Sequence, residues 1–432
     1  MAEIKPLQAL RYDPAVVGAL GSVVAPPYDV IDEAQRQALI ARSPYNVVAI
    51  DLPRGVPDPY AVAAELFARW QREGAIVREP RPALYAHEQD YTGPDGRRRT
   101  RRGFFCAVRL QEYGAGRIRP HERTHPGPKE DRLRLMRATR ADLSPIFSLY
   151  SDPQQRAWSA LAPFTQSEPL ADVRDAEGTA HRLWHVDDDV AIAAATDALA
   201  ERELLIADGH HRYETALAYA REVDRSGAES ESHNYVLMCL VALEDPGLTV
   251  FPTHRLVAAP QEHAAARLQA LLDQSFDCEE ISEAQLSERI ASAQEGGSWS
   301  STERFQCGLL SADHPRPRWL SLRESERLRT ALPGRSDAYL HLDSGVLEAL
   351  ILRDALGIDE GAISHLQGFG YARTIGEAQA ALRAGRFGLA FIMRPTPVEQ
   401  IREIAAAGEH MPPKSTFFFP KLLTGLLFNP LY

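Results

Sequence analysis

Leu204-Leu205-Ile206-Ala207-Asp208-Gly209-His210-His211-Arg212-Tyr213-Glu214-Thr215-Ala216-Leu217 changes its hydrophobic period at Asp208-Gly209. Leu204 to Ala207 is a short apolar run, the pattern of a buried strand. Asp-Gly breaks the run, and His211 to Arg221 reads as a helix. A strand leading through a glycine into a helix gathers unpaired amides and the positive end of the helix dipole in one place. Such a junction suits a phosphate. Gly209 lets the backbone turn and come close to an anion. Arg212 can grip phosphate oxygens through two N–H groups. His210 and His211 can donate hydrogen bonds or move protons near neutral pH. An isolated Asp-Gly usually marks a plain turn; His-His-Arg directly after it favours an anion site.

Outward from this stretch, Val236 to Ala242 reads as another buried strand and Ala191 to Ala200 as a helix. Asp32 caps a short helix through Ile40, and Val47 to Leu52 reads as a strand. Asp58-Pro59 opens a helix to about Trp70, with Ala63, Leu66, Phe67 and Trp70 on one face. Ala83 to Ala86 and Gly103 to Leu110 read as strands. A helix is expected from about Asp131 to Thr139, and a strand from Ile146 to Tyr150. Beyond Pro260 two helices and two strands suggest an α+β insertion to about residue 330. Thr374 with Glu377 makes a capping box before a helix, and Phe387 to Met393 is a strand. The mixture predicts an α/β (α+β mixed) fold with an additional α+β subdomain. The expected division is 1–259, 260–330 and 331–432.

The chain has 432 residues, more than one hydrophobic core usually supports. Its net charge of −11 argues against broad nucleic-acid or anionic-membrane binding. Arg97 to Arg140 nevertheless holds 14 Lys or Arg against four Asp or Glu. A basic segment in an acidic protein can focus field on one anionic ligand, although Arg97-Arg98-Arg99 and Arg101-Arg102 read most simply as a solvated hairpin. Cys106, Cys239, Cys278 and Cys307 form no C-x-x-C pair, which suits buried thiols in a reducing compartment. With no signal-like start and no run of about 18 apolar residues, a cytoplasmic location off the membrane is expected.

His121, Glu122 and His125 spell H-E-x-x-H. A zinc protease needs both histidines on one helix, and Pro120, Pro126 and Pro128 forbid a helix there. The loop still combines His121, Glu122, Thr124, Lys129 and Arg132. Thr253-His254-Arg255 follows an apolar strand and is a further candidate. Lys414-Ser415 resembles a P-loop ending, but Pro413 stands where its glycine belongs. Lys414, Ser415 and Thr416 could still reach a phosphate, although they read more simply as a solvated loop.

The whole chain resembles a bacterial and archaeal family catalogued as domain of unknown function one-thousand-fifteen. The resemblance rests on Ala25-Pro26-Pro27-Tyr28-Asp29-Val30, Pro120-His121-Glu122-Arg123-Thr124, Asp131-Arg132-Leu133 and Ser144-Pro145-Ile146-Phe147. It continues in Ala207 to Tyr213, Pro252-Thr253-His254-Arg255 and Pro412 to Thr416. The turn at Asp208 to Arg212 is also similar to the nucleotide-phosphate motif of the ParB/sulfiredoxin superfamily, which includes kinases of free L-serine.

That second resemblance implies a ParB/sulfiredoxin-like nucleotide-binding core. It implies a small-molecule kinase moving a phosphoryl group from ATP or ADP to the hydroxyl of free L-serine. Gly209, His210, His211, Arg212 and Thr215, with Lys129 and Arg132, are then expected to hold nucleotide. Asp208 is the expected Mg²⁺ ligand and Glu122 the expected general base, with Asp208 and His211 counted beside Glu122 as catalytic. Tyr28, Asp29, His121, Thr124, His254, Arg255, Lys414, Ser415 and Thr416 are assigned to substrate, with Tyr28 and Asp29 at the ammonium of an amino acid. Two rivals stand beside this reading: a nucleotide-binding regulatory module of ParB type, and a metal-dependent hydrolase using His121, His125, His210 and His211.

Overall fold

The computed structural model describes residues 2–93, 95–114, 116–122, 126–227, 230–295, 304–323 and 326–432. The chain divides into two compact units. Unit 1 comprises residues 1–120, 124–248 and 420–432; unit 2 comprises 121–123 and 249–419.

Unit 1 is built on a nine-stranded mixed sheet. Its strands are β1 (Ile4–Lys5), β2 (Leu84–Thr92), β3 (Arg98–Arg109), β4 (Ile118–Arg119), β5 (Ile146–Tyr150), β6 (Ala171–Arg174), β7 (Ala180–Val186), β8 (Leu204–Asp208) and β9 (Tyr235–Ala242). They run β4-β8-β5-β9-β3-β2-β7-β6, with β1 beside β3. β9 is parallel to β5 and β4 to β8, while β5 and β8 are antiparallel. Every residue of β5 and β9 is buried, as expected of central strands that read as continuous apolar runs.

The helices of unit 1 include α1 (Glu33–Arg42), α2 (Pro59–Arg72), α3 (Pro126–Thr139), α4 (Asp189–Leu199) and α5 (His210–Arg225). α4 and α5 bury Ala195, Leu199, Tyr213 and Ala216 against Ile206, Met238 and Leu240 of the sheet. A second core gathers Ile50, Phe67, Trp70 and Phe428. The basic segment is largely neutralised in place: Arg99 pairs with Asp95, Arg102 with Glu88, Arg119 with Glu203 and Arg137 with Glu222.

Two elements differ from the sequence reading. Val48–Asp51, expected as a strand, is a helical turn. Asn46 Oδ1 accepts the Val48 amide at 3.1 Å and starts it; a four-residue apolar run does not by itself distinguish strand from helix. α3 begins at Pro126 rather than near Asp131, because proline is tolerated in a first turn. His121 and Glu122 precede that helix, so they do not form a zincin helix face.

Unit 2 has its own six-stranded sheet. Its strands are β10 (His254–Val257), β11 (Phe276–Glu280), β12 (Gln306–Ser311), β13 (His314–Leu322), β14 (Phe369–Ala372) and β15 (Leu389–Met393), in the order β11-β13-β12-β15-β10-β14. Its core includes Phe276, Phe305, Leu347, Ile351 and Phe391. No helix among the described residues is long and apolar enough to cross a membrane.

Candidate functional site

The predicted strand–turn–helix is present at β8 and α5. The β8–β5 register shifts between Ile206 and Asp208, so Asp208 faces Phe147 out of sequence step; such irregularities re-aim a side chain at a strand end. Gly209 has φ +97° and opens the sixteen-residue helix α5. The Asp208 carboxylate faces two cations. Arg212 Nη2 donates to Oδ2 at 2.6 Å, and Lys421 Nζ donates to Oδ1 at 2.7 Å. Arg212 Nη1 also donates to the Pro145 carbonyl. Pro145 lies in the Ser144-Pro145 step before β5, so three distant segments close on the junction. His210 is buried, while His211 and Arg212 are half-buried.

Asp208, the expected Mg²⁺ ligand, has each of its two oxygens accepting a hydrogen bond from a cation in this arrangement. Among the described residues no group of three or more His, Cys, Asp or Glu could hold a metal. The rival histidine-rich hydrolase centre finds no support among them, with His125 outside the described residues.

Beside Arg212 lies a cavity of about 40 Å³, lined in part by Tyr28, Asp51, Arg132, Ser144, Arg212 and Thr215. Arg132 is buried; its Nη1 donates to the Asp51 carbonyl at 2.7 Å and to Oδ1 at 3.1 Å. Its other edge meets Asp131 at 2.8 and 2.5 Å, and Asp131 accepts the Tyr60 hydroxyl at 2.8 Å. The Arg132 guanidinium sits 4.3 Å from the Tyr28 ring centre. Burial pushes the Tyr28 hydroxyl up to about 12, with Arg212 and Arg132 opposing the rise. Burial also raises the Asp51 carboxyl, opposed by Arg132 and Arg212. Asp29 is exposed. Lys129 pairs with Glu214 at 2.8 Å, and both line a wider cavity of about 620 Å³.

The remaining described candidates sit in unit 2, where several come together. Buried His121 has Nε2 3.1 Å from Thr416 Oγ1. The Glu122 carboxylate accepts the Lys414 amide at 3.3 Å. Lys414 is exposed at φ +57°. Ser415 is buried; its hydroxyl is 2.7 Å from Ser344 Oγ and donates to the Pro412 carbonyl at 2.7 Å. Arg255 is buried and donates to the Thr253 and Pro413 carbonyls. His254 Nδ1 accepts the Met393 amide at 3.2 Å, and burial beside Arg255 pushes its pKa down to about 3. It therefore stays neutral and tethers β10 to the end of β15. Arg123, Thr124 and His125 lie outside the described residues.

Sequence reasoning missed Asp51, Ser144 and Lys421, and it read Arg101 as solvated. Arg101 is 1% exposed, with Nε donating to Gln89 at 2.9 Å and Nη2 to the Pro420 carbonyl at 2.6 Å. Burial lowers its pKa to about 10. The signal available for Asp51 was one acid inside an apolar run.

A family model described as protein of unknown function (DUF1015) matches residues 4–341. The chain belongs to the DUF1015 family. No curated protein compared with this DUF1015 member matches it. Among solved structures it is similar to a conserved hypothetical protein from Pyrococcus furiosus, at 14% identity and TM-score 0.34, covering 73% of this chain and 90% of that one. It is also similar to a free serine kinase in complex with AMP, at 14% identity and TM-score 0.35, covering 73% and 86%. A C-terminally truncated SbnI from Staphylococcus aureus is similar at 10% identity and TM-score 0.35, covering 76% and 87%. At these values the function of the DUF1015 chain has to be argued from its own residues.

Proposed function

We propose that unit 1 binds a phosphorylated ligand, a nucleoside di- or triphosphate, at the Asp208–Arg212 junction. We propose further that the chain is a small-molecule kinase acting on the hydroxyl of free L-serine. One observation carries the first part: two cations, Arg212 and Lys421, meet a single carboxylate at the amino end of a sixteen-residue helix. Two cations beside the amino end of a helix favour an anion there. An incoming phosphate would take Arg212 and Lys421 in exchange for part of their contact with Asp208.

The second part rests on the likeness of the Asp208 to Arg212 turn to the ParB/sulfiredoxin phosphate motif and on the demands of the reaction. Phosphoryl transfer needs neutralised charge and a held acceptor more than it needs covalent help from the protein. Glu122 is the proposed general base, from its motif. No step is assigned to a protein-bound metal.

Purified protein incubated with Mg-ATP or Mg-ADP and L-serine should form O-phosphoserine, followed by mass spectrometry. Equilibrium titration with the same nucleotides tests the first part alone. Nucleotide binding without phosphoserine would sink the kinase assignment and keep the ligand class. Glu122→Gln should abolish turnover while leaving nucleotide affinity within about twofold, because it removes the base and not a phosphate contact.

A further inference from the structure

The cavity beside Arg212 has a charge pattern that the phosphate reading does not use. Its wall includes Asp142, which is 4% exposed. Asp142 Oδ2 accepts the Asn429 side-chain amide at 2.8 Å and the Leu237 backbone amide at 3.0 Å. Both donors are neutral, and no described cation lies within ion-pair distance. The other charges on the wall are matched: Arg132 faces Asp51 and Asp131, and Arg212 faces Asp208. Thr215 lines the same cavity, and its Oγ1 is buried with no hydrogen-bond partner.

A buried carboxylate without a cation and a buried hydroxyl without a partner are both costly. A ligand group with one positive charge and several N–H donors would satisfy both. The cavity, about 40 Å³, exceeds the roughly 10–15 Å³ needed for one water and admits only a few heavy atoms.

We propose that this cavity receives the primary ammonium of an amine-bearing acceptor, with Asp142 as its counter-ion and Thr215 Oγ1 as a hydrogen-bond acceptor. The inference deepens the acceptor side of the kinase reading and rests on it. It moves the ammonium away from exposed Asp29, where the sequence had placed it, and takes Thr215 from the nucleotide to the acceptor. Burial already holds the Asp142 carboxyl up to about 6, and a cation arriving beside it would lower that value.

Three probes separate the contributions by calorimetry on the full chain, with ADP present and absent: L-serine, ethanolamine and 3-hydroxypropionate. Serine and ethanolamine carry the ammonium; 3-hydroxypropionate keeps serine's carboxylate and hydroxyl without it. Serine and ethanolamine should bind at least tenfold more tightly than 3-hydroxypropionate. Asp142→Asn and Thr215→Val should each reduce that preference, Asp142→Asn to below twofold. Circular dichroism checks that each variant is folded, and Thr215→Val alone carries the test if Asp142→Asn is not. Equal binding of 3-hydroxypropionate, or amine affinity unchanged in the folded variants, would overturn the proposal. So would ADP binding with no amine bound, a result that leaves the phosphate site intact. Amine binding without any nucleotide binding would instead remove the kinase reading.

Discussion

At Gly209 the backbone has φ +97°, and a Cβ there would lie 3.1 Å from the Arg212 guanidinium. Gly209→Ala therefore meets two costs: a left-handed conformation that L side chains resist, and displacement of the cation proposed to hold phosphate. It should lower stability by about 1–2 kcal/mol and weaken ADP binding, read from urea unfolding and calorimetry. Arg212→Ala leaves the helix start intact and removes a charge-assisted donor. ADP affinity should fall about 10- to 100-fold, the equivalent of the 1.5–3 kcal/mol typical of such bonds. Unchanged affinity would rule out the junction as the phosphate site. Asp142 makes a pH prediction. Its folded pKa, about 6, is raised from 3.8 by burial, against the opposing bonds from Asn429 and Leu237. The native state then holds its proton over a range in which the unfolded chain has lost it. The stabilising contribution is complete below pH 3.8 and disappears as pH rises through 6. Asp142→Asn should remove roughly 2–3 kcal/mol of the stability lost between pH 4 and 7, measured by urea unfolding at both pH values.

Among the elements, those with a local chemical cause were legible. The Asp32 cap of α1 is a full capping box, with Gln35 N on Asp32 Oδ1 at 2.8 Å and Asp32 N on Gln35 Oε1 at 3.1 Å. Asp32→Ala should cost about 1 kcal/mol in a thermal or urea melt. Thr374 likewise accepts the Glu377 amide at 3.1 Å. β8 and α5 were readable because a period change, a glycine and a polar cluster coincide. The Val48–Asp51 turn was not, since its helical state is set by Asn46 and by packing of Ile50 into a core with Trp70 and Phe428. β5 and β9 are neighbours in the sheet, but their apolar runs carry no information on pairing.

At the scale of the whole molecule, the last thirteen residues return to unit 1. Phe428 is fully buried there, Asn429 holds Asp142, and Lys421 meets Asp208. Phe428→Ala should destabilise unit 1 by about 3–5 kcal/mol, the usual cost of emptying an aromatic site, as read from loss of urea resistance. The basic run from Arg97 to Arg140 was expected to concentrate field on a ligand. Instead most of its charge is matched by nearby acids, while buried Arg101 donates to Gln89 and the Pro420 carbonyl.

The amino-acid order alone determined the mixed α/β class, the strand–turn–helix at Asp208 to Arg212 and the caps, because each depends on residues a few positions apart. Tertiary structure decided which groups share the site: Lys421 with Asp208, Asp51 with Arg132, and Asn429 with Asp142. These partners lie 81 to 287 positions apart. Periodicity and capping act over one or two turns of chain, so contacts across such separations arise only when the cores close and bring charged side chains to a common wall.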